Sequence, residues 1–385
     1  MPKLIHIATV SLTPRAFLRP FAEHFRAKGW TVDVMASGAA SCDDCRSAFS
    51  HVFDVAWSRN PLHLGRIRRG IRQVRRVVSE GGYDIVHVHT PVAGFATRYA
   101  LRNLRSPRGL KVIYTAHGFH FHPGGNPLAN AAYYALETIA GPWTDHLVVI
   151  NQTDYDVAVR RRIVPPDRIT LVPGIGVDTD HYSPGAVSPE SSQAARAELG
   201  LSPGNQLFLM IAEFNPGKRH EDAVRAMALL KNSNIHLAFA GAGPLLSSMQ
   251  TLARTLGVAR QIHFLGFQKD VRRYLGAALA TLLPSLREGL PRSLLESLSM
   301  GIPVIGTDIR GIRDLVAGSA GYLVRTKDPE AIAQAMRRLA DQPIEAKAMG
   351  QSGRDRILEQ FSLARIIEQH ERIYSHLLAT RGTHD

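Results

Sequence analysis

The stretch Pro284-Ser-Leu-Arg-Glu288-Gly289-Leu290-Pro291-Arg292-Ser-Leu294-Leu295-Glu296-Ser-Leu298-Ser-Met-Gly301-Ile-Pro303-Val304 sets two carboxylates eight residues apart. Glu288 falls in a turn bounded by glycine and proline, whereas Glu296 falls among Leu294, Leu295 and Leu298, which repeat at helical spacing. Pro291 suits a first helical position, so the helix is expected to open there. Glu296 then lies roughly 7.5 Å farther along the axis than the helix start, at ~1.5 Å per residue, and both carboxylates reach one ligand. The N–H groups of Gly289, Leu290 and the turn beginning at Pro291 point outward, where sugar hydroxyls or phosphate oxygens are held well. Spacing alone also fits two solvated glutamates at a helix end.

Around this stretch the chain alternates strands and helices. Strands are expected at 206–212, 235–241, 261–265, 280–284 and 303–306, and earlier at 3–10, 30–35, 84–89, 111–117 and 146–151. Such alternation builds a parallel sheet covered on both faces. The run Tyr182-Ser-Pro184-Gly-Ala-Val-Ser-Pro189-Glu-Ser-Ser192 interrupts the rhythm and reads as the linker region. The expected architecture is α/β, with two Rossmann-like domains in series and a cleft between. In such sheets ligands collect at the carboxyl ends of the strands, where His89 and His117 stand. A terminal helix over 363–379 carries Ile366, Ile367, His370, Ile373, Tyr374 and Leu377 along one stripe, which needs a partner to cover it.

The stretch around Glu288 and Glu296, with the following Gly301-Ile-Pro303-Val-Ile-Gly306-Thr307, resembles the E-x7-E signature of retaining nucleotide-sugar glycosyltransferases of family 4. The likeness covers nearly the whole chain, most tightly residues 205–325. It implies the GT-B fold: an acceptor-binding domain over 1–182, a nucleotide-sugar-binding domain over 183–362, and a segment 363–385 packing back on the first domain. By the same resemblance Glu288 lies beside the donor sugar and Glu296 holds the ribose hydroxyls, a vicinal diol that a carboxylate binds with paired acceptor oxygens.

Other stretches fall into the family's order. Glu213-Phe-Asn-Pro-Gly-Lys218-Arg219 occupies the place of the family's Arg-x4-Lys, whose two cations bracket the donor diphosphate. Lys218 matches the lysine, Glu213 replaces the arginine as in bacterial capsule and exopolysaccharide transferases, and Arg219 offers a second cation. Leu265-Gly266-Phe267 is similar to the segment that wraps the base, with Phe267 as ordinary core the competing reading. Gly241-Ala-Gly243-Pro244 lacks the dinucleotide fingerprint, which argues against a nicotinamide enzyme. In Thr115-Ala-His117-Gly118-Phe-His120-Phe-His122, His117 matches a histidine that meets the donor sugar, and His120 is assigned to loop shaping or the acceptor side. No carboxylate or cysteine is spaced with these histidines to complete a metal site. Val172-Pro-Gly174-Ile-Gly176-Val-Asp178 resembles the interdomain turn. The family's glycine-rich first loop is missing, leaving the hydroxyls of Ser11 and Thr13 in the loop Ser11–Arg15 to meet a phosphate.

Net charge is +13, from 46 basic and 33 acidic residues. Residues 1–182 hold 22 basic against 14 acidic, and residues 183–385 hold 24 against 19, so the excess is +8 and then +5. An anionic partner fits this balance. Its densest feature spans 62–78, where Arg66, Arg68, Arg69, Arg72, Arg75 and Arg76 alternate with aliphatic residues and no acid intervenes. With the second cluster Arg98, Arg102, Arg105, Arg108 and Lys111, it reads as a docking face for anionic headgroups and a lipid diphosphate, or as solvated helix surface. No run approaches the ~20 apolar residues of a spanning helix, and the N-terminus reads as a strand, so a cytoplasmic protein peripheral on the inner membrane face is expected. Cys42 and Cys45 form a lone C-x2-C pair, read as structural or incidental.

The resemblance implies a metal-independent, cofactor-free enzyme, a hexosyl- or N-acetylhexosaminyltransferase. It would move a sugar from a nucleoside-diphosphate donor, most commonly UDP, to a lipid-linked saccharide in surface polysaccharide synthesis. Domain closure would exclude water, and front-face attack would let the leaving diphosphate take the acceptor proton. Glu288 would orient the sugar and support positive charge at the anomeric carbon, with Lys218 stabilising the diphosphate. The rivals are a sugar-nucleotide epimerase of the same fold, an idle partner subunit, and a non-enzymatic binder of nucleic acid or anionic surfaces. For nucleic acid the sequence supplies no recognition module.

Overall fold

The computed structural model describes residues 1–57, 63–105, 109–122, 124–316 and 318–380. The chain divides into two compact units, one of residues 1–175 with 366–385 and one of residues 176–365. The division falls inside the Val172–Asp178 turn, where Gly174 and Gly176 both adopt left-handed φ angles, +80° and +77°.

The first unit is built on seven strands: β1 Lys3–Val10, β2 Thr31–Ser37, β3 Val52–Phe53, β4 Ile85–His89, β5 Lys111–Ala116, β6 His146–Val149 and β7 Ile169–Leu171. They pair in parallel in the order β3-β2-β1-β4-β5-β6-β7. The second unit has β8 Gln206–Ile211, β9 Ile235–Ala240, β10 Ile262–Gly266, β11 Ala280–Leu283, β12 Val304–Thr307 and β13 Gly321–Val324. Their order is β10-β9-β8-β11-β12-β13, also parallel. In both sheets the chain starts mid-sheet, builds toward one edge, and returns to build the other. This places a switch of direction between β1 and β4 and another between β8 and β11, where such sheets open a crevice at their carboxyl ends.

Alternation along the strands sorts the side chains. Ile5 and Ile7 of β1 and Val86 and Val88 of β4 join one buried cluster with Val74 and Val78 of the helix Leu64–Gly81. His6, His87 and His89 therefore point to the opposite face, and the register sets His6 beside His87 and His89 beside Thr115. The terminal helix Leu363–Ala379, counted with this unit from Ile366 onward, buries the six residues of its stripe. Its His370 lies edge-on to Phe21 at 5.0 Å, and Tyr374 packs on Phe25 at 5.1 Å. Each buried aliphatic of that stripe contributes about 1.5–3 kcal/mol.

Several local expectations change. Residues 11–15 are not an open loop: a π-helical turn over Pro14–Leu18 leads directly into the helix Arg19–Ala27. The helix after Glu288 runs Arg292–Ser299, with Pro291 as its N-cap rather than its first helical residue. The Sγ of Cys42 accepts the Cys45 N–H and caps the helix Asp43–Ala48. Among the described residues no helix is long and apolar enough to cross a membrane.

Candidate functional site

In the second unit the two strands flanking the switch each deliver one candidate. After β8 the chain makes a short turn, Pro216–Lys218, and after β11 it makes the loop leading to Arg292–Ser299. A backbone bond from Leu286 N–H to Gly217 C=O, 2.8 Å, ties the turn to the loop. The tie brings Lys218 Nζ to 2.6 Å from Glu288 Oε1, across 70 residues of chain. Both side chains are largely covered, so the attraction is less screened than on an open surface.

Beyond Glu288, Gly289 and Leu290 are half-buried, and among the described residues their N–H groups have no hydrogen-bond acceptor. Their backbone rests on Gly311, where an added Cβ would fall 1.9 Å from the Gly289 carbonyl oxygen and where φ is +76°. Glu296 is buried one turn into the helix, held at 2.7 Å by Arg292 Nε and bonded to the Tyr182 hydroxyl. Burial pushes its carboxyl above the ordinary value, opposed by Arg292. Burial and the neighbouring Glu296 push the Tyr182 phenol up as well, so it stays protonated as a donor.

The remaining second-unit candidates separate. Arg219 is paired with Asp222, with Nη2 to Oδ1 at 2.6 Å and Nε to Oδ2 at 2.8 Å, so a diphosphate would meet a cation that already has a carboxylate partner. Glu213 is exposed and accepts from the Asn215 amide at 3.1 Å. Phe267 is 76% exposed, so it is not core. It follows Gly266, whose φ of +67° turns the chain at the end of β10.

In the first unit His117 follows β5 and is half-buried. Its Nε2 lies 3.2 Å from His89 Nδ1, and burial lowers its pKa to about 4. Gly118 takes φ +103°, and the next N–H, that of Phe119, donates to Asp154 at 3.0 Å. His120 packs its ring 5.1 Å from that of Tyr133. Ser11 sits in the turn after β1, while Thr13 is buried at the entry to the helix.

The arginine helix is as expected in one respect: Arg66, Arg68, Arg69, Arg72, Arg75 and Arg76 are all exposed, and none has an ion pair among the described residues. The second cluster is corrected. Arg98 is fully buried and bonds Glu137 at 2.7 Å, Arg105 pairs with Asp145, and Arg102 stacks on Tyr99 at 3.9 Å, while Arg108 lies outside the described residues. Sequence reading missed the helix Pro127–Ala140, whose one charged residue, Glu137, turns inward to Arg98. Leu128, Ile139 and Leu136 are 83%, 53% and 38% exposed. The arginine helix and this apolar helix both pack on the helix Pro91–Leu101.

Residues 16–181 match the family described as Glycosyltransferase Family 4, and residues 191–356 match Glycosyl transferases group 1. A protein of Bacillus subtilis (strain 168) named "Putative glycosyltransferase EpsD" is 35% identical over 97% of this chain and 96% of its own. The UDP-Gal:alpha-D-GlcNAc-diphosphoundecaprenol alpha-1,3-galactosyltransferase of Escherichia coli is 25% identical over 88% and 86%. Among solved structures, Anabaena Alr3699/HepE in complex with UDP has a TM-score of 0.81 over 97% of this chain and all of its own, at 17% identity, a likeness of fold. The chain belongs to the family 4 glycosyltransferases and is an enzyme of the GT-B fold.

Proposed function

We propose that this glycosyltransferase moves a sugar, with retention, from a nucleoside-diphosphate donor, UDP first, to a saccharide carried on a lipid diphosphate. The observation that carries the reading is the Lys218–Glu288 pair at the β8/β11 switch, with Glu296 one helical turn beyond. A diphosphate entering there takes Lys218 and the unpaired N–H groups of Gly289 and Leu290, and so releases Glu288 toward the sugar hydroxyls. Glu296, steadied by Arg292 and Tyr182, offers its acceptor oxygens to the ribose diol. Exposed Phe267 supplies a face for the base. Since Lys218 offsets the charge growing on the leaving diphosphate, the reaction needs no metal in this reading, and chelator leaves the rate unchanged.

For the acceptor side, six unpaired arginines and a neighbouring exposed apolar helix suit an anionic lipid surface, basic heads for the headgroups and Leu128 and Ile139 for the acyl boundary. The relatives' names include a diphosphoundecaprenol-linked acceptor and a UDP-sugar donor, which supports the same reading. We place the enzyme on the inner face of a membrane, in surface polysaccharide synthesis. The test is transfer from UDP-sugars to a polyprenyl-diphosphate saccharide, with the anomeric configuration of the product read by NMR. Free sugar-nucleotide epimer formed without acceptor, or an inverted product, would overturn it.

A further inference from the structure

One face of the first unit's sheet carries imidazoles where a helix-covered sheet ordinarily carries aliphatics. His6, His87 and His89 are buried there, with His117 beyond β5 and His370 descending from the terminal helix. Buried polar rings are retained against hydrophobic replacement only when they are bonded, so their partners define their use. His6, His87 and His89 each place a ring nitrogen within 4.8 Å of the others, a spacing compatible with a metal ion. His87, however, spends both nitrogens elsewhere: Nε2 lies 2.7 Å from the Thr115 hydroxyl and Nδ1 lies 2.6 Å from the Tyr374 hydroxyl. Two converging nitrogens remain, one fewer than the three protein ligands of an open zinc site.

What remains is a chain. His6 Nδ1 lies 3.1 Å from His89 Nε2, and His89 Nδ1 lies 3.2 Å from His117 Nε2. A neutral imidazole donates from one nitrogen and accepts at the other, so the direction of one link dictates the direction of the next. Burial lowers the pKa of His6 to about 3 and of His117 to about 4, and holds His89 well below its ordinary value, so all three rings are neutral near pH 7. The chain then has two states. In one, His6 Nε2 carries a proton; in the other it is a bare lone pair. That nitrogen is buried and has no hydrogen-bond partner among the described residues. The ring of Phe49 stands edge-on 6.4 Å from that of His6, and an aromatic face is a weak acceptor even at contact. An orphaned N–H is the rarer arrangement in protein interiors, so the lone pair is favoured there. His6 then donates to His89, and His89 donates to His117.

We propose that His89 and His6 are positioning residues that lock His117 as its Nδ1–H tautomer, making it a hydrogen-bond donor toward substrate. This rests on the reading that His117 meets the bound sugar. The Nδ1 of His117 has no partner among the described residues, and the residue is half-buried rather than sealed in the core, which leaves that N–H for a bound oxygen. A donor there addresses a hydroxyl or phosphate oxygen. It also removes His117 as a base, since Nδ1 carries the proton and the Nε2 lone pair accepts from His89.

The test is long-range 1H–15N correlation of ring-labelled histidine in the free enzyme near pH 7.5, with His117 assigned through His117→Gln. The expected spectrum shows His117 protonated on Nδ1 and bare on Nε2. In His89→Phe the proton is expected to move to Nε2, the form an unconstrained side chain favours. His6→Asn, which retains an N–H near the former Nδ1, is expected to leave the His117 tautomer in place, and His6→Leu to release it. A bare Nδ1 on His117 in the wild type overturns the proposal without reference to any variant's folding, and so does an unchanged tautomer in folded His89→Phe. The spectrum requires no nucleotide, so failure of the donor-site reading, which appears only in nucleotide binding, is distinguishable from failure here.

Discussion

At the scale of single residues, the central pair is Lys218 and Glu288, which hold each other at 2.6 Å and which, in the reaction proposed above, part when the donor diphosphate binds. Lys218→Met removes the cation from a largely covered place and leaves Glu288 without its counter-charge. The expected loss in kcat is on the order of 10²–10³, with a smaller change in KM, measured in the transfer assay; a change in KM alone would mean that Lys218 binds without stabilising the departing charge. Glu288 and Glu296 were legible in the sequence because their relation is local, eight residues along one turn and helix. The partners that give them meaning were not. Tyr182 reaches Glu296 across more than a hundred residues, and His6 reaches His89 across 83, separations that only strand order closes. A hint of the imidazole chain did exist: His87 and His89 alternate with Val86 and Val88 in one strand, so they share a face.

At the scale of elements, charge content misled where helical position decided. Arg98 belonged by composition to a basic cluster, yet it is the buried partner of Glu137 and also donates from Nε to the Gly94 carbonyl at 2.9 Å. Arg98→Ala strands a buried carboxylate, and about 3–5 kcal/mol of unfolding free energy should disappear from urea denaturation, against almost none for exposed Arg72→Ala. Equal effects of the two would mean that Arg98 is not buried as described. The helix Pro127–Ala140 was the harder case, because an apolar helix in an α/β chain reads as core until its exposure is known. Replacing Leu128 and Ile139 together by Asp is expected to lower co-sedimentation with anionic vesicles about tenfold or more while leaving the melting temperature nearly unchanged. Retained vesicle binding would leave the arginine helix as the whole docking surface. The thirteen strands among the described residues show the same division between local and distant information. Strands inside the sheets were readable from apolar runs, even β6, β11 and β12 at four residues, whereas β3, β7 and β13 are edge strands of two to four residues that depend on a neighbour for their definition.

At the scale of the molecule, the histidines tie stability to pH. Burial holds His6 at about 3 and His117, His146, His370, His220 and His263 at about 4. The folded chain keeps these rings neutral while the unfolded chain protonates them below about 6.5, so the unfolded state binds more protons in that interval. Stability is therefore predicted to fall as pH drops from about 6.5 to 4 and to be insensitive to these groups above 7. A drop from 6.5 to about 4 is on the order of 3–4 kcal/mol for one fully buried ring alone, and coupled rings and the partly exposed His263 add less. A urea midpoint that stays flat from pH 7 to pH 4.5 would contradict buried neutral histidines. The two-sheet architecture itself followed from the strand–helix rhythm, because each parallel crossover leaves its own apolar and turn signature. Whether the β8/β11 switch binds the donor nucleotide is read directly by thermal unfolding with UDP, GDP and ADP, metal-free, on wild type and Glu296→Ala. One nucleotide, UDP first, should stabilise the wild type by about 2.7 kcal/mol at a hundredfold excess over its Kd, and the shift should vanish in the variant. No stabilisation by any of the three, or an equal shift in Glu296→Ala, would contradict it.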